Sequence, residues 1–244
     1  MNQLNNKEIT NTGTITIITG PMFAGKTTTL INKYKSISKF RPLLVFKPKR
    51  DTRYSSNEIV SHNGKKLQAS LIENLSEISS LHLKNQPEIK DILIDELQFF
   101  PTNSYHYLEE LAKKGINITV AGLDWNYFEN KPFEITAKCL EIADKVIKLE
   151  AECDYISKNN AEEKTKCPNP ATKSMWKLTK LPQIPEDYVG GKEKYLSVCR
   201  QHYIPISKLK RMEKKTQKKE GEEDWNLGER QCGVNNPKDC DSCQ

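Results

Sequence analysis

The sequence has no apolar run that approaches the roughly 20 residues needed for a membrane-spanning helix. Its first segment, Met1 to Lys7, is polar and lacks the apolar stretch of a secretory signal. Only 36% of the 244 residues are hydrophobic, but they cluster into strand-like runs, so a packed core is feasible. We therefore expect a soluble, cytoplasmic protein without a membrane partner, built as one large domain or two small ones.

Cysteine is also scarce, with seven residues, and in an intracellular protein these serve as thiols or metal ligands rather than disulfides. Cys139 lies in a helix-like segment, residues 135–143, where we expect a buried thiol. Cys199 and His202 form a C-x-x-H pair, which is typical of half a zinc site. Cys153 and Cys167 are separated by 13 residues, a poor spacing for a zinc knuckle, so spacing alone leaves zinc binding open.

Acidic residues are outnumbered, and the formal net charge is +6. Much of the basic excess lies between Lys208 and Lys219, and such runs occur in proteins that bind nucleic acid. Here an acidic run, residues 220–224, follows directly, and no aromatic side chain is interleaved. The pattern favours a solvated tail, and we expect no nucleic-acid partner.

The strongest motif is G-x-x-x-x-G-K-T, which follows the strand-like residues 14–18 and precedes a helix-like segment that runs to Lys39. A strand, a glycine loop and a helix in this order form a P-loop, whose backbone N–H groups and helix N-terminus bind phosphate. Lys26 adds a cation at the β- and γ-phosphates, and the Thr27 hydroxyl is a ligand for Mg²⁺. The predicted ATP-binding residues of this loop are Gly20, Pro21, Met22, Phe23, Ala24, Gly25, Lys26 and Thr27.

Two adjacent carboxylates, Asp95 and Glu96, directly follow the apolar residues 89–94. In P-loop proteins an acid at the end of such a strand reaches the Mg²⁺ beside the loop threonine, which is the role predicted for Asp95. Side chains alternate along a strand, so we expect Glu96 to point to the opposite side. That position suits a general base.

A basic, turn-rich segment follows the strand-like residues 41–47 and contains Asp51 and Arg53. Ligands bind beyond the carboxyl ends of strands in open α/β sheets, so both residues are candidates for binding nucleotide or phosphate. Spacing alone favours a surface loop of solvated charges, and the two interpretations stay open. His62, beside Asn63 and Gly64, indicates a turn.

The rest of the pattern alternates strands with helices. Helices are predicted for residues 101–114 and 135–143, and strands for residues 13–20, 41–47, 89–96, 117–124 and 145–149. This alternation predicts an α/β fold of the P-loop NTPase type, with a mostly parallel sheet flanked by helices.

Taken in order, these motifs resemble those of the cytosolic, zinc-containing thymidine kinases. The matching stretches are Gly20–Thr27, Lys49–Tyr54, Asp95–Phe100, Lys131–Phe133 and Gly190–Arg200. The resemblance implies a small zinc-binding lobe whose lasso loop closes over the substrate base. It also implies transfer of the γ-phosphoryl group of ATP to the 5′-hydroxyl of thymidine, giving dTMP and ADP for DNA synthesis. Family members are usually homotetramers that dTTP inhibits.

The same resemblance implies residue roles. Glu96 matches the catalytic carboxylate, and Phe128 matches the aromatic residue that packs on the thymine ring. Further ATP-binding positions are Asp51, Thr52, Arg53, Asp95 and Gln98. Further substrate-binding positions are Glu186, Asp187, Tyr188, Val189 and Gly190 in the lasso, and Tyr195. Because the lasso holds the base through backbone groups, the identities of its side chains matter less.

The chain departs from the family pattern around the base and in the zinc lobe. Residues 124–128 are one residue longer than usual, so Tyr127 or Phe128 meets the base, and the downstream Lys-Pro-Phe segment favours Phe128. Ile156 stands where the family has its second cysteine, and we infer an insertion over residues 156–166. The implied zinc ligands are therefore Cys153, Cys167, Cys199 and His202, where histidine replaces a cysteine. Beyond the match, we expect free thiols at Cys232, Cys240 and Cys243.

Four segments are expected: a disordered N-terminus (1–12), a P-loop α/β kinase domain (13–150), a zinc-binding lobe with the lasso (151–206) and a charged, flexible tail (207–244). Two other functions remain alternatives. A P-loop ATPase or GTPase switch would hydrolyse nucleotide without an acceptor, although the N-K-x-D signature of GTPases is missing. A zinc-ribbon nucleic-acid-binding protein would show salt-dependent affinity carried by residues 208–219.

Overall fold

The computed structural model describes residues 12–51, 57–61, 63–84, 86–158, 164–177 and 190–211. Its strands are β1 (Ile15–Thr19), β2 (Leu44–Pro48), β3 (Glu58–Val60), β4 (Lys66–Gln68), β5 (Ser70–Ile72), β6 (Asp91–Ile94), β7 (Asn117–Gly122), β8 (Trp125–Asn126), β9 (Lys131–Pro132), β10 (Lys145–Lys148), β11 (Ala151–Glu152), β12 (Ile156–Lys158), β13 (Lys164–Lys166), β14 (Pro170–Ala171), β15 (Lys173–Trp176) and β16 (Tyr195–Val198). Its α-helices are α1 (Lys26–Ile37), α2 (His106–Lys113), α3 (Glu134–Ile142) and α4 (residues 206–211). Short 3₁₀ turns occur at Leu97–Phe99 and Thr102–Ser104, and a π-helical turn at Ile78–Leu83.

The centre of the molecule is a six-stranded sheet in the order β10-β1-β7-β6-β2-β5. Each described pairing in it is parallel, and Ile17 of β1, for example, lies opposite Val146 of β10 and Val120 of β7. Strands β1 and β6 are buried at every position, as strands covered on both faces must be. The predicted α/β fold with a mostly parallel sheet is confirmed.

Helices cover both faces of this sheet. Ile17 belongs to a core cluster that includes Leu108 of α2 and Ile135 of α3. Its neighbour Ile18 belongs to a separate cluster with Leu30 and Ile31 of α1. Successive side chains of a strand point to opposite faces, so β1 anchors α1 on one side and α2 and α3 on the other.

Helix α1 depends on this packing because its first turn is a poor helix former. Thr27, Thr28 and Thr29 each cost up to about 0.7 kcal/mol of helix propensity relative to alanine. Leu30 and Ile31 are fully buried, and each such side chain contributes about 1.5–3 kcal/mol on burial. Burial against the sheet therefore outweighs propensity, and the helix begins where the phosphate loop ends.

Two elements differ from the sequence-based expectation. Strand β5 was not predicted, because its three residues follow a polar hairpin and give no sustained alternation. The helix predicted for residues 101–114 is divided into a 3₁₀ turn and α2, which starts at His106. The Ser104 hydroxyl donates a hydrogen bond to the Pro101 carbonyl at 2.6 Å, so serine competes with the helical backbone bonds here.

After the central sheet, the chain forms three antiparallel pairs, β11 with β14, β12 with β13, and β15 with β16. Residues up to Tyr203 belong to one compact unit, and a second unit begins at Ile204. Of the second unit the structure describes α4, whose Lys208 and Leu209 N–H groups donate to the Pro205 carbonyl. In the described part of the chain, no helix combines the length and apolar character needed to cross a membrane.

Candidate active site

The loop between β1 and α1 has the backbone geometry of a phosphate-binding loop. Gly20 has φ +143°, and a Cβ there would lie 2.3 Å from the Leu149 carbonyl oxygen, so only glycine fits. Gly25 has φ +81° and immediately precedes α1. Phe23 is held at φ 62°, a conformation that costs a non-glycine residue about 1–3 kcal/mol and clusters at ligand-binding sites. The loop thus presents its backbone at the helix N-terminus, where anions bind.

Two polar residues, Lys26 and Thr27, follow Gly25 at the end of the loop. The Thr27 hydroxyl donates a hydrogen bond to Asp95 Oδ2 at 2.9 Å, which joins the start of α1 to the end of the acidic strand. The Lys26 ammonium donates to the Pro21 carbonyl at 2.7 Å, within the same loop. Thr27 and Asp95 are therefore side by side, as a hydroxyl and a carboxylate that share one Mg²⁺ must be.

Glu96 is positioned by a turn rather than by the strand. Strand β6 ends at Ile94, and Glu96 has a left-handed backbone with φ 54° and ψ 44°. The expected strand alternation between Asp95 and Glu96 is therefore wrong. Gln98 donates a hydrogen bond from Nε2 to Glu96 Oε2, while its Oε1 accepts one from the Leu123 N–H at 3.0 Å. Because the Leu123 N–H can only donate, it fixes the orientation of the amide that holds the Glu96 carboxylate.

Two cavities meet at this point. The smaller, of about 100 Å³, is lined by Met22, Phe23, Gly25, Lys26, Thr27, Thr28, Val60, Glu96, Leu123 and Gly191. The larger, of about 460 Å³, is within the size range of ligand pockets and includes Gln98, Phe128 and Tyr195 in its wall. Met22 and Leu123 line both cavities. A carboxylate and a phosphate loop thus adjoin a space large enough for a small organic molecule.

Aromatic side chains form one wall of the larger cavity. Phe128 meets Trp176 edge-on at 5.3 Å between ring centroids, and Tyr195 at 6.4 Å. Tyr127 is only 3% exposed and packs edge-on against Tyr203 at 6.0 Å. Burial, with a smaller effect of Tyr203, raises the pKa of Tyr127, so its hydroxyl stays neutral. Tyr127 is thus mainly a packing residue, and Phe128 is the less buried ring of the two.

Asp51 is not a solvated surface charge. Its side chain is buried, and Oδ2 lies 3.2 Å from the ammonium of Lys47, which is also buried. Lys47 further donates to the Glu58 carbonyl at 3.3 Å. The interpretation of Asp51 as part of a solvated loop is therefore wrong, because a buried charge requires such a partner. Sequence reasoning missed Lys47, since an isolated lysine in an apolar strand carries no signal of its own.

The four predicted metal ligands converge in the structure. Ligand atoms of Cys153, Cys167, Cys199 and His202 all lie within 4.8 Å of one another. His202 Nδ1 is 3.5 Å from Cys153 Sγ and 3.3 Å from Cys199 Sγ. Tetrahedral zinc, with bonds of about 2.3 Å to sulfur and 2.0–2.1 Å to nitrogen, places such atoms about 3.6 Å apart. The donor set and spacing fit this ion, so the cluster can hold a metal.

The β12–β13 hairpin explains how Cys153 and Cys167 meet despite their separation. The hairpin lies between the two cysteines, and at its base the Cys167 N–H donates to the Tyr155 carbonyl at 2.9 Å. The Tyr155 ring also stacks on His202, with centroids 3.7 Å apart and planes inclined by 13°. The hairpin thus leaves Cys153 and Cys167 adjacent despite their separation in the sequence.

The phosphate loop, the acidic strand end and the Cys/His cluster occur in a chain that is similar to proteins of one known family. A family model described as thymidine kinase matches residues 13–203. The chain belongs to the thymidine kinase family. It is 37% identical over 200 residues to the thymidine kinase of Thermococcus kodakarensis, covering 79% of this chain and 94% of that protein. It is 38% identical over 202 residues to the thymidine kinase of Mycoplasma capricolum, covering 80% of this chain and 91% of that protein.

Membership of the thymidine kinase family makes the chain a kinase. Among solved structures, the Pif1 helicase of Candida albicans aligns at a TM-score of 0.35 and 20% identity, covering 56% of this chain and 36% of that chain. That likeness is too weak to bear on the fold or the function.

The structure leaves part of the predicted thymidine kinase site outside its described residues. These site positions are Thr52, Arg53, Glu186, Asp187, Tyr188 and Val189. The turn predicted at His62 and the free thiols predicted at Cys232, Cys240 and Cys243 also lie outside the described residues. Of the lasso positions, Gly190 lines the larger cavity, and the adjoining Gly191 lines the smaller one. Cys139 is a buried thiol as predicted, and burial raises its pKa to about 12.

Proposed function

We propose that this chain is an ATP-dependent thymidine kinase, which transfers the γ-phosphoryl group of ATP to the 5′-hydroxyl of thymidine and releases dTMP and ADP. The observation that supports this most directly is the meeting of the two cavities. The smaller combines the P-loop with Glu96, and the larger is aromatic and of ligand size. A phosphate donor and a nucleoside bound in them would adjoin beside Met22 and Leu123, which line both cavities, with Glu96 in the wall of the smaller one. Membership of the thymidine kinase family supports thymidine as the nucleoside.

The phosphate half of the site belongs to the P-loop. Phosphoryl transfer requires mainly positioning and charge stabilisation, so the backbone N–H groups of residues 23–27 and the Lys26 ammonium would bind the β- and γ-phosphates. When bound with ATP, Mg²⁺ supplies further neutralisation of the phosphate charge. The Thr27 hydroxyl and the Asp95 carboxylate, which lie 2.9 Å apart, would hold this ion. Asp51, Thr52, Arg53 and Gln98 complete the proposed ATP-binding set.

Glu96 is the proposed catalytic residue. A general base accepts the proton of the 5′-hydroxyl as that oxygen attacks phosphorus, and Glu96 is a carboxylate in the wall of the phosphate cavity. Gln98 orients it, because its amide is fixed at the other end by the Leu123 N–H. The lasso would exclude water from the site, so that ATP is not simply hydrolysed.

The nucleoside half is proposed to hold thymine against Phe128, whose ring is supported by Trp176 and Tyr195. The lasso, with Glu186, Asp187, Tyr188, Val189 and Gly190, would close over the base through its backbone groups. Zinc bound by Cys153, Cys167, Cys199 and His202 would have a structural role, because four protein ligands leave no open position for chemistry.

Family resemblance also supports a cytoplasmic homotetramer that is inhibited by dTTP. We propose the domain division given by the sequence, with the kinase domain in residues 13–150 and the zinc lobe with its lasso in residues 151–206.

The decisive test is ATP turnover measured with and without thymidine. We expect ADP and dTMP to form in equal amounts, with ADP formation low when thymidine is omitted. ADP formation that is independent of any nucleoside would contradict the proposal and favour a P-loop ATPase. Salt-dependent binding of DNA or RNA without kinase activity would instead favour a nucleic-acid-binding protein.

A further inference from the structure

One residue of the P-loop is held from outside the loop by two buried serines. The Met22 N–H donates a hydrogen bond to Ser174 Oγ at 2.8 Å, and the Met22 carbonyl accepts one from Ser197 Oγ at 2.6 Å. Ser174 and Ser197 lie opposite each other on β15 and β16. Both serines are buried, Ser197 to within 1% of full burial, so water does not replace these bonds. Strands of the small lobe therefore fix both backbone polar groups of Met22.

Ser197 is also connected to the metal cluster. Its N–H donates to Asp154 Oδ2 at 2.7 Å, and its carbonyl accepts from the Asp154 N–H at 2.8 Å. Asp154 directly follows the metal ligand Cys153, and Ser197 precedes the ligand Cys199 by two residues. The Cys199 N–H in turn donates to Cys153 Sγ at 3.3 Å. Hydrogen bonds from Asp154 to Ser197 and from Ser197 to Met22 thus connect chain neighbours of the metal ligands to the phosphate loop.

We propose that the metal cluster and the P-loop are thermodynamically coupled through Asp154, Ser197 and Met22, with Ser197 as the positioning residue. Metal binding fixes Cys153 and Cys199, and through them Asp154 and Ser197. Ser197 then holds the Met22 carbonyl in the geometry that points the neighbouring loop N–H groups at phosphate. Without the metal, Ser197 loses this support, and the buried Met22 carbonyl loses its donor. The inference rests on the proposed binding of ATP at the P-loop.

Coupling of this kind is reciprocal. If bound metal raises the affinity for nucleotide by some factor, bound nucleotide raises the affinity for metal by the same factor. Coupling between sites typically amounts to about 5–150-fold. Because Met22 lines both cavities, the effect should reach the nucleoside side as well as the phosphate side. A metal site with only a local structural role would show no such reciprocity.

The test uses the full-length chain and a non-hydrolysable ATP analogue with Mg²⁺. Its dissociation constant is measured by calorimetry for zinc-loaded and zinc-depleted protein, and zinc affinity is measured by chelator competition with and without the analogue. For the wild-type chain we expect each ligand to strengthen the other by at least about fivefold. The chelator experiment starts from the zinc-loaded chain, so it remains informative if the metal-free protein aggregates.

Three variants locate the coupling. Ser197→Ala, fully loaded with zinc, should bind the analogue about tenfold more weakly, the loss of roughly one buried hydrogen bond, and should lose most of the reciprocity. Ser197→Thr retains the hydroxyl, so this variant should show both the wild-type affinity for the analogue and the wild-type reciprocity. Thr172→Val is the matched control, because Thr172 lies beside β16 and its buried hydroxyl has no hydrogen-bond partner among the described residues. It should behave as the wild type.

The outcomes separate this inference from the proposed function. Equal nucleotide affinity with and without zinc in the wild type would overturn the coupling and leave the kinase assignment intact. Full coupling in Ser197→Ala, at normal zinc content and melting temperature, would overturn the role of Ser197. A wild-type chain that binds no nucleotide would instead refute the proposed function, and the coupling with it.

Discussion

Replacement of Glu96 by glutamine separates catalysis from folding more cleanly than any other single change in the site. The new side chain has the same shape, and its amide oxygen can still accept the hydrogen bond from Gln98 Nε2. The Leu123 N–H keeps Gln98 in its orientation, so the Gln98 amide retains both of these hydrogen bonds. We therefore expect a change in the free energy of unfolding of about 1 kcal/mol or less.

The effect on turnover should be much larger. A general base contributes about 10²–10⁴ in rate, and each tenfold loss corresponds to about 1.36 kcal/mol. Glu96→Gln should therefore raise the activation barrier by about 3–5 kcal/mol while nucleotide affinity remains within a few-fold of the wild type. The predicted increase in the activation free energy is therefore several times larger than the predicted change in the free energy of unfolding.

The assay is steady-state phosphorylation of thymidine, with the dissociation constant of an ATP analogue and the melting temperature measured on the same preparations. Glu141→Gln is a suitable control, because Glu141 is an exposed carboxylate of α3 that pairs with Lys138 at 3.1 Å, outside both cavities. It should retain normal turnover. A Glu96→Gln enzyme with kcat close to that of the wild type would remove Glu96 from the role of general base.

Three further outcomes are expected. Lys26→Ala should weaken ATP binding and turnover together, measured by calorimetry and the kinase assay, because the phosphates lose a cation; unchanged values would count against the P-loop assignment. Metal analysis should return one zinc per chain, and truncation after residue 210 should leave this content unchanged. Cys199→Ser should lose the zinc and unfold the zinc lobe, because binding of structural zinc contributes about 10–16 kcal/mol to the free energy of folding. Full zinc content in Cys167→Ser would refute Cys167 as a ligand. Steady-state kcat/KM should be highest for thymidine and lower for deoxyuridine, which lacks one methyl group worth about 1–3 kcal/mol. For deoxycytidine, kcat/KM should be lower by a factor of about 10⁴–10⁵, since its reversed hydrogen-bond pattern leaves buried groups unpaired. Equal use of deoxycytidine would refute recognition of the base by backbone groups of the lasso.

Several parts of the fold were predictable because they depend on neighbours along the chain. The segments that form β1, β6 and β7 are mostly apolar and are buried at every position except the first of β7, as strands covered on both faces require. The glycines of the P-loop are needed by its backbone, whatever else surrounds it. In contrast, β5 is recognisable only by its parallel pairing with β2, since three residues carry too little periodicity.

The site shows the same division. Asp95 could be paired with Thr27 in advance, because parallel strands end at one edge of the sheet and the loop begins there. The position of the Glu96 side chain could not be predicted, because a left-handed turn is present where a strand was expected. Likewise, spacing alone left Cys167 undecided as a ligand, until the β12–β13 hairpin was seen to return it to Cys153.

The phosphate loop, the acidic strand end and the C-x-x-H half of the metal site could be predicted from the sequence alone, because each is encoded in neighbouring residues with a characteristic chemistry. Only the tertiary structure decided how Gln98 orients Glu96, how Lys47 neutralises Asp51, and how Ser174 and Ser197 hold Met22. In the first and last of these, the decisive partner is a backbone N–H or carbonyl group. Every residue has such groups, so they leave no trace in the sequence, and folding alone selects which of them a buried side chain meets.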